Sequence, residues 1–146
     1  MKLILLETYS FRNNIVKYIL SKDRNYFIYK KALSLAKSRG VDIFKNKELA
    51  YYILEDEEVI AGLFISDNLT DFGFDIVVDK EYENQGIGKE LTKKALEIYK
   101  NLKLIYGDDY FLDVEVISPK YKDILTKNFN LKIKQDLKDS KWIMTE

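Results

Sequence analysis

The sequence predicts one α/β domain of the α+β kind, with a mixed sheet flanked by helices. Short apolar runs bounded by turn residues alternate along the chain with stretches whose apolar residues recur every three or four positions. The chain has 146 residues, 47% of them hydrophobic, and a single proline, which suits one compact core and leaves too little for two. No repeat, low-complexity tract or Pro/Gly/Ser linker interrupts it, so residues 1–146 read as a single continuous domain.

Residues 2–7 read as an opening strand. Two helical patterns follow, Phe11, Ile15, Tyr18 and Ile19 in the first and Ile28, Ala32, Leu35 and Ala36 in the second, with Gly40 where the second would stop. Residues 49–54 and 59–65 are apolar runs on either side of Glu55-Asp56-Glu57-Glu58, a hairpin with a solvated acidic tip. Residues 72–78 form the next strand. After it, Ile87, Leu91, Ala95, Ile98 and Leu102 make an apolar stripe opposed by Lys89, Lys93, Lys94 and Glu97. Residues 110–116 are a further strand, Pro119 opens a short helix ending near Asn128, and residues 131–133 with 141–144 close the chain as an antiparallel hairpin. The expected order is β-α-α-β-β-β-α-β-α-β-β.

Lys plus Arg and Asp plus Glu number 24 each, so no overall field draws the chain to nucleic acid or to an anionic membrane. Lys30, Lys31 and the lysines within 89–94 accordingly read as solvated faces. Histidine and cysteine are absent, which removes disulfides, thiolate nucleophiles, imidazole bases and the usual zinc ligand sets, and no metal is expected. Chemistry must use carboxylates, hydroxyls, tyrosines, lysines or backbone. The apolar run after Met1 is too short for a signal-peptide core, and no apolar window approaches the ~20 residues of a membrane span, so a cytoplasmic protein is expected.

Chemistry concentrates where the fourth expected strand turns into the third expected helix, Val77-Val78-Asp79-Lys80-Glu81-Tyr82-Glu83-Asn84-Gln85-Gly86-Ile87-Gly88-Lys89-Glu90-Leu91. Gly86 and Gly88 lack Cβ atoms, so a phosphate can approach the main chain closely there. The first amides of the following helix have no intrahelical partner and carry the positive end of the helix dipole, which suits an anion. Strand-to-helix turns also use glycine for conformational reasons alone, so the loop by itself leaves function open. It lacks the glycine spacing and Lys-Ser/Thr of a P-loop, and it lacks the third glycine of a dinucleotide fingerprint.

At this junction the chain resembles the GNAT superfamily of N-acetyltransferases, whose coenzyme A signature is Arg/Gln-x-x-Gly-x-Gly/Ala. The pattern here reads Glu83-Asn84-Gln85-Gly86-Ile87-Gly88. Val78-Asp79-Lys80-Glu81-Tyr82 resembles the family's Val-Asp-Pro-Glu-Tyr, and Val59-Ile60-Ala61-Gly62-Leu63 resembles its Ile-Val-Gly-Phe third strand. The resemblance implies a GNAT-like domain over 1–146 with a mostly antiparallel central sheet. It also implies transfer of an acetyl group from acetyl-CoA to a primary amine on a small molecule, peptide or protein, with coenzyme A held by Ile76, Val78, Glu83, Asn84, Gln85, Gly86, Ile87, Gly88 and Lys89. A non-catalytic acyl-CoA-binding or protein-interaction domain is the alternative, and a homodimer is common among relatives.

Two positions depart from the family. Glu83 stands where Arg or Gln is usual and would repel a pyrophosphate, so backbone amides must carry more of the binding, with Lys89 a candidate charge partner; on sequence alone, Glu83→Gln is expected to tighten binding. In the distal half the family shows Asn-x-x-Ala-x-x-Leu-Tyr-Glu-Lys-x-Gly-Phe, and matching Leu131 to its Phe puts Thr126 where a tyrosine often protonates the coenzyme A thiolate. Tyr121 is the tyrosine of that helix and reads first as a packing residue. In the implied mechanism the amine attacks the thioester directly. Asp75 is the first candidate for the base because it precedes the cofactor-binding end of its strand, with Asp113 and Glu115 comparable and a solvated sheet-face role for Asp75 an equal reading. Tyr26, Phe27, Tyr29 and Trp142 could line an acceptor pocket but read first as core.

Overall fold

The computed structural model describes residues 8–11, 14–17, 27–43, 48–55 and 58–146, with side chains described over 29–43 and 58–146. These residues form β1 (Thr8–Phe11), β2 (Asn14–Lys17), α1 (Phe27–Ser38), β3 (Glu48–Glu55), β4 (Glu58–Asp67), β5 (Asp71–Val78), α2 (Ile87–Tyr106), β6 (Phe111–Leu112), β7 (Val114–Val116), α3 (Pro119–Phe129), β8 (Lys132–Lys138) and β9 (Lys141–Thr145). One sheet has the order β1-β2-β3-β4-β5-β6 and a second the order β7-β9-β8. The mixed, largely antiparallel character and the order of elements from α1 onward agree with expectation.

The first expected helix is not formed where its pattern begins. Thr8–Phe11 and Asn14–Lys17 pair antiparallel, with Phe11 opposite Asn14. Phe11 and Ile15 satisfy helical spacing, but Thr8, Tyr9, Phe11, Ile15 and Val16 are aromatic or β-branched, and such side chains favour paired strands over a helix turn. Tyr18, Ile19 and the expected strand at 2–7 lie outside the described residues, as do Asp56 and Glu57 of the acidic tip.

The chain divides into two compact units: the described residues up to Ile65 with Asp75–Lys94, and Ser66–Phe74 with Ala95–Glu146. In the first, Tyr29, Ala32 and Ala36 of α1 are buried with Val59, Phe64 and Val77, and Tyr29 meets Phe64 edge-on at 6.4 Å. Tyr29 is therefore a core residue. The helix ends as Gly40 foretells: Gly40 has φ 75° and its N–H donates to Lys37 C=O, while Val41 N–H reaches back to Ala36 C=O at 2.9 Å. This double bond pattern is a Schellman ending, and Val41 packs on the cluster that contains Ala36.

In the second unit an aromatic stack forms the centre, Phe72 against Tyr99 at 5.8 Å and Tyr99 against Tyr110 at 5.9 Å. Asp67 accepts the hydroxyls of Tyr106 and Tyr110 at 3.0 and 2.9 Å. Burial, then this hydrogen bond, pushes the Tyr110 phenol well above its ordinary range. The expected strand over 110–116 changes partners in its middle. Phe111–Leu112 pair parallel with β5, Val114–Val116 pair antiparallel with β9, and the last bond to β5 runs from Asp113 N–H to Phe72 C=O at 2.8 Å. Gly73 allows that approach, since a Cβ there would stand 2.9 Å from the Asp113 carbonyl oxygen. α3 begins as expected at Pro119, capped by Ser118 Oγ, which accepts Tyr121 N–H at 3.2 Å.

Gly40→Ala is expected to lower stability by about 1 kcal/mol, read as a lower denaturant midpoint at unchanged slope. The added Cβ would meet no heavy atom within 4 Å, so the loss reports the left-handed backbone alone.

Candidate functional site

The corner after β5 is built from local capping. Asp79 N–H donates to Ile60 C=O at 2.7 Å, tying the end of β5 to β4. The Asp79 side chain then caps a short 3-10 turn, Lys80–Tyr82, accepting Glu81 N–H at 3.0 Å, while its carbonyl accepts Tyr82 N–H at 2.9 Å. Lys80 thus holds the first position of the turn, where the resembled motif has proline and where proline's fixed φ fits. Asn84 and Gly86 take left-handed φ values of 64° and 83°, conformations that asparagine tolerates and glycine adopts freely.

α2 opens at Ile87. Its first helical bond is Glu90 N–H to Gly86 C=O at 3.1 Å, so the amides of Ile87, Gly88 and Lys89 lie ahead of the helical ladder. Gly86 and Gly88 differ in kind. Gly86 is required by its φ, whereas Gly88 is helical and a Cβ there would find its nearest neighbour, Val78 Cγ2, at 4.0 Å. Gly88 leaves the helix mouth open without being forced by its own packing.

Side chains at the corner sort into three groups. Asn84, Gln85 and Lys89 are exposed, and Asp75, Ile76 and Val78 are half-buried on β5. Ile87 is only 2% exposed, so its side chain belongs to the core and only its amide faces the corner chemistry. Burial along β5 alternates as expected through Phe74, after which Val77 rather than Ile76 is buried, because the α1 cluster covers that face. Asp75 shares the face of Val77 by strand period, while Val78 reaches Gly88 on the other.

Glu83 is not a bare carboxylate. The Arg39 guanidinium, just past the end of α1, donates through Nη2 to Glu83 Oε1. Arg39 is fixed at its backbone, where its N–H reaches both Leu35 and Ala36 carbonyls at 3.1 Å. The pair joins positions 44 residues apart, and no motif or periodicity signals it.

The remaining candidates are described with the second unit. Glu115 is exposed. Asp113 Oδ1 is buried without a hydrogen-bond partner among the described residues, and Lys134 Nζ stands 3.9 Å from it. Thr126 is exposed and its hydroxyl donates to Lys122 C=O at 2.9 Å. Asn130 takes φ 58° and Leu131 is buried, which fits the Gly-Phe positions of the distal pattern and the register that places Thr126 at the tyrosine. Tyr121 is half-buried, and the half-buried Trp142 ring lies 4.6 Å from Lys122 Nζ. In the first unit Lys30 is exposed, and Lys31 is half-buried and pairs with Glu58 at 3.5 Å. Tyr26 and the Phe27 side chain lie outside the described residues. Among the described residues no three His, Cys, Asp or Glu side chains cluster as metal ligands, and no helix is long and apolar enough to cross a membrane.

Comparison with known proteins bears on the whole arrangement. The Acetyltransferase (GNAT) family model matches residues 16–115. No curated protein matches the chain. Among solved structures, a GNAT-family acetyltransferase from Streptococcus pneumoniae shares 13% identity over 91% of this chain and 98% of its own, with a TM-score of 0.60. A GNAT-family acetyltransferase from Elizabethkingia anophelis, solved with acetyl-CoA bound, shares 16% identity over 89% of this chain and 95% of its own at a TM-score of 0.60. The ribosomal-protein-S5-alanine acetyltransferase from Vibrio fischeri shares 9% identity over 95% and 94% at 0.61. At these identities the structures speak for the fold, and the family model speaks for descent: the chain belongs to the acetyltransferase (GNAT) family.

Proposed function

We propose that this chain is a cytoplasmic N-acetyltransferase that moves an acetyl group from acetyl-CoA to a primary amine by direct attack. The observation that carries the reading is the corner itself, where a left-handed Gly86 delivers the amides of Ile87, Gly88 and Lys89, ahead of the helical ladder, directly beyond β5. Those amides and the helix dipole suit the pyrophosphate, and the open Cα of Gly88 admits it closely. Ile76 and Val78 offer apolar surface to the pantetheine arm. The arm's own amides pair with strand backbone there.

Bound acetyl-CoA supplies a thioester carbonyl that a neutral amine attacks directly, so no enzyme nucleophile is needed and the lack of cysteine and histidine is no obstacle. Asp75 is assigned as the base that takes the ammonium proton, directly or through water. The acceptor is an amine of a small molecule, peptide or protein. One neighbour of the same fold is named for acetylating an alanine of ribosomal protein S5, which accords with an amine acceptor class.

A second reading, a non-catalytic acyl-CoA-binding or interaction domain, is favoured by one observation. Thr126, at the place of the family's tyrosine, is exposed and bonded back to its own helix.

Acetyl-CoA at about a hundred times its dissociation constant is expected to stabilise the fold by about 2.7 kcal/mol in a thermal melt; millimolar acetyl-CoA without effect overturns both readings. Release of coenzyme A thiol with a panel of amines then separates catalyst from binder. Asp75→Asn is expected to lower kcat by about a hundredfold with little change in KM for acetyl-CoA, and wild-type turnover would remove Asp75 from the mechanism.

A further inference from the structure

We propose that Arg39 supplies the cationic side chain that binds the coenzyme A pyrophosphate at this corner, and that Glu83 is the positioning residue that holds it there. The inference rests on the acyl-CoA reading above. Glu83 occupies the first signature position, in the same loop and shortly before the amides of Ile87, Gly88 and Lys89 that are the proposed pyrophosphate ligands. A lone carboxylate so placed would oppose that ligand. The Arg39 guanidinium instead reaches it from α1, so the corner gains a cation from a distant part of the sequence in place of the usual one from the signature itself.

The geometry suits a shared role. A guanidinium carries five N–H donors in a planar fork. Among the described residues Glu83 is the acceptor that Arg39 meets, through Nη2, which leaves donors on Nη1 and Nε for a second anion. The two side chains keep 34% and 38% of their surface open, so a ligand can reach the fork without displacing the core. The backbone that carries the side chain is held in place, because Arg39 N–H is anchored on two carbonyls of the last turn of α1 and Gly40 closes that turn. An ion pair this exposed contributes little to folding, which separates a binding role from a structural one.

Calorimetry of coenzyme A and of 3′-dephospho-coenzyme A with wild-type protein, Arg39→Gln, Glu83→Gln and the double variant tests this, with thermal melts confirming that each is folded. Arg39→Gln is expected to weaken both ligands about tenfold, the loss of one charge-assisted bond. Glu83→Gln, which sequence alone expects to tighten binding, is expected to weaken it about twofold, because its amide oxygen holds the guanidinium less firmly. The double variant recovers only the part of the loss due to an unmasked Glu83 and stays about fivefold below wild type. In the acetyl-transfer assay both single variants raise KM for acetyl-CoA at nearly constant kcat.

A double variant with wild-type affinity would overturn the proposal, since Arg39 would then merely cancel Glu83. A loss confined to coenzyme A would overturn it in favour of the 3′-phosphate, and tighter binding by Glu83→Gln would remove the holding role. Wild-type binding that survives Arg39→Gln sinks this inference alone, whereas wild-type protein that binds neither ligand sinks the acyl-CoA reading with it.

Discussion

The corner depends on one constraint: α2 must begin immediately after a turn that the main chain can make only through left-handed backbone. Gly86 meets it with φ 83°, and Asn84 shares it at 64°. Helices that start this way leave their first amides without carbonyl partners, and those amides point wherever the strand and turn aim them. Here the aim is inherited from the sheet. Asp79 N–H bonds to Ile60 on β4, which is buried from Val59 through Ser66, and the Asp79 carboxylate closes the 3-10 turn above it.

Charge is local in this protein. With equal numbers of acidic and basic residues there is no net field, and screening removes contributions from beyond roughly 8 Å at physiological salt. The potential at the corner is therefore set by groups close to it in the fold, among them the helix terminus and the Arg39–Glu83 pair. Pairing matters more than count: apart, the two side chains would leave an unmasked carboxylate in the loop ahead of α2, whereas together they carry no net charge.

What the sequence discloses is what local chemistry determines. Gly40 marked the end of α1 because a left-handed residue is needed there, and the β5 to α2 corner was visible because its glycines and the start of its apolar stripe lie within a few residues of one another. The segment 8–17 misled because Phe11 and Ile15 fit a helical period while strand pairing depends on partners elsewhere in the chain, Ile15 facing Leu54 for example. The switch of partner at Asp113 was invisible for the same reason, since β-propensity names a strand without naming its neighbour. The Arg39–Glu83 pair is the extreme case, a contact fixed wholly by tertiary structure. The site's backbone was thus readable and its electrostatics were not.

The chemistry poses a narrower problem than the fold. Primary amines titrate about six units above carboxylates, so a carboxylate cannot simply strip an ammonium at neutral pH. The attacking species is therefore the neutral fraction of the amine, and what a carboxylate can do is take the proton that nitrogen must shed once its bond to the thioester carbon has formed and made it acidic, directly or through water, which requires a group that is neither sealed in the core nor lost in bulk solvent. Asp75, to which the proposed reading gives this role, is half-buried on β5, between the fully buried Phe74 and the buried Val77. Glu115 is exposed, and Asp113 already has a lysine ammonium near its buried oxygen. Under the proposed acetyltransferase reading Asp75 is assigned to that role among carboxylates of similar intrinsic strength because it precedes the cofactor-binding end of its own strand.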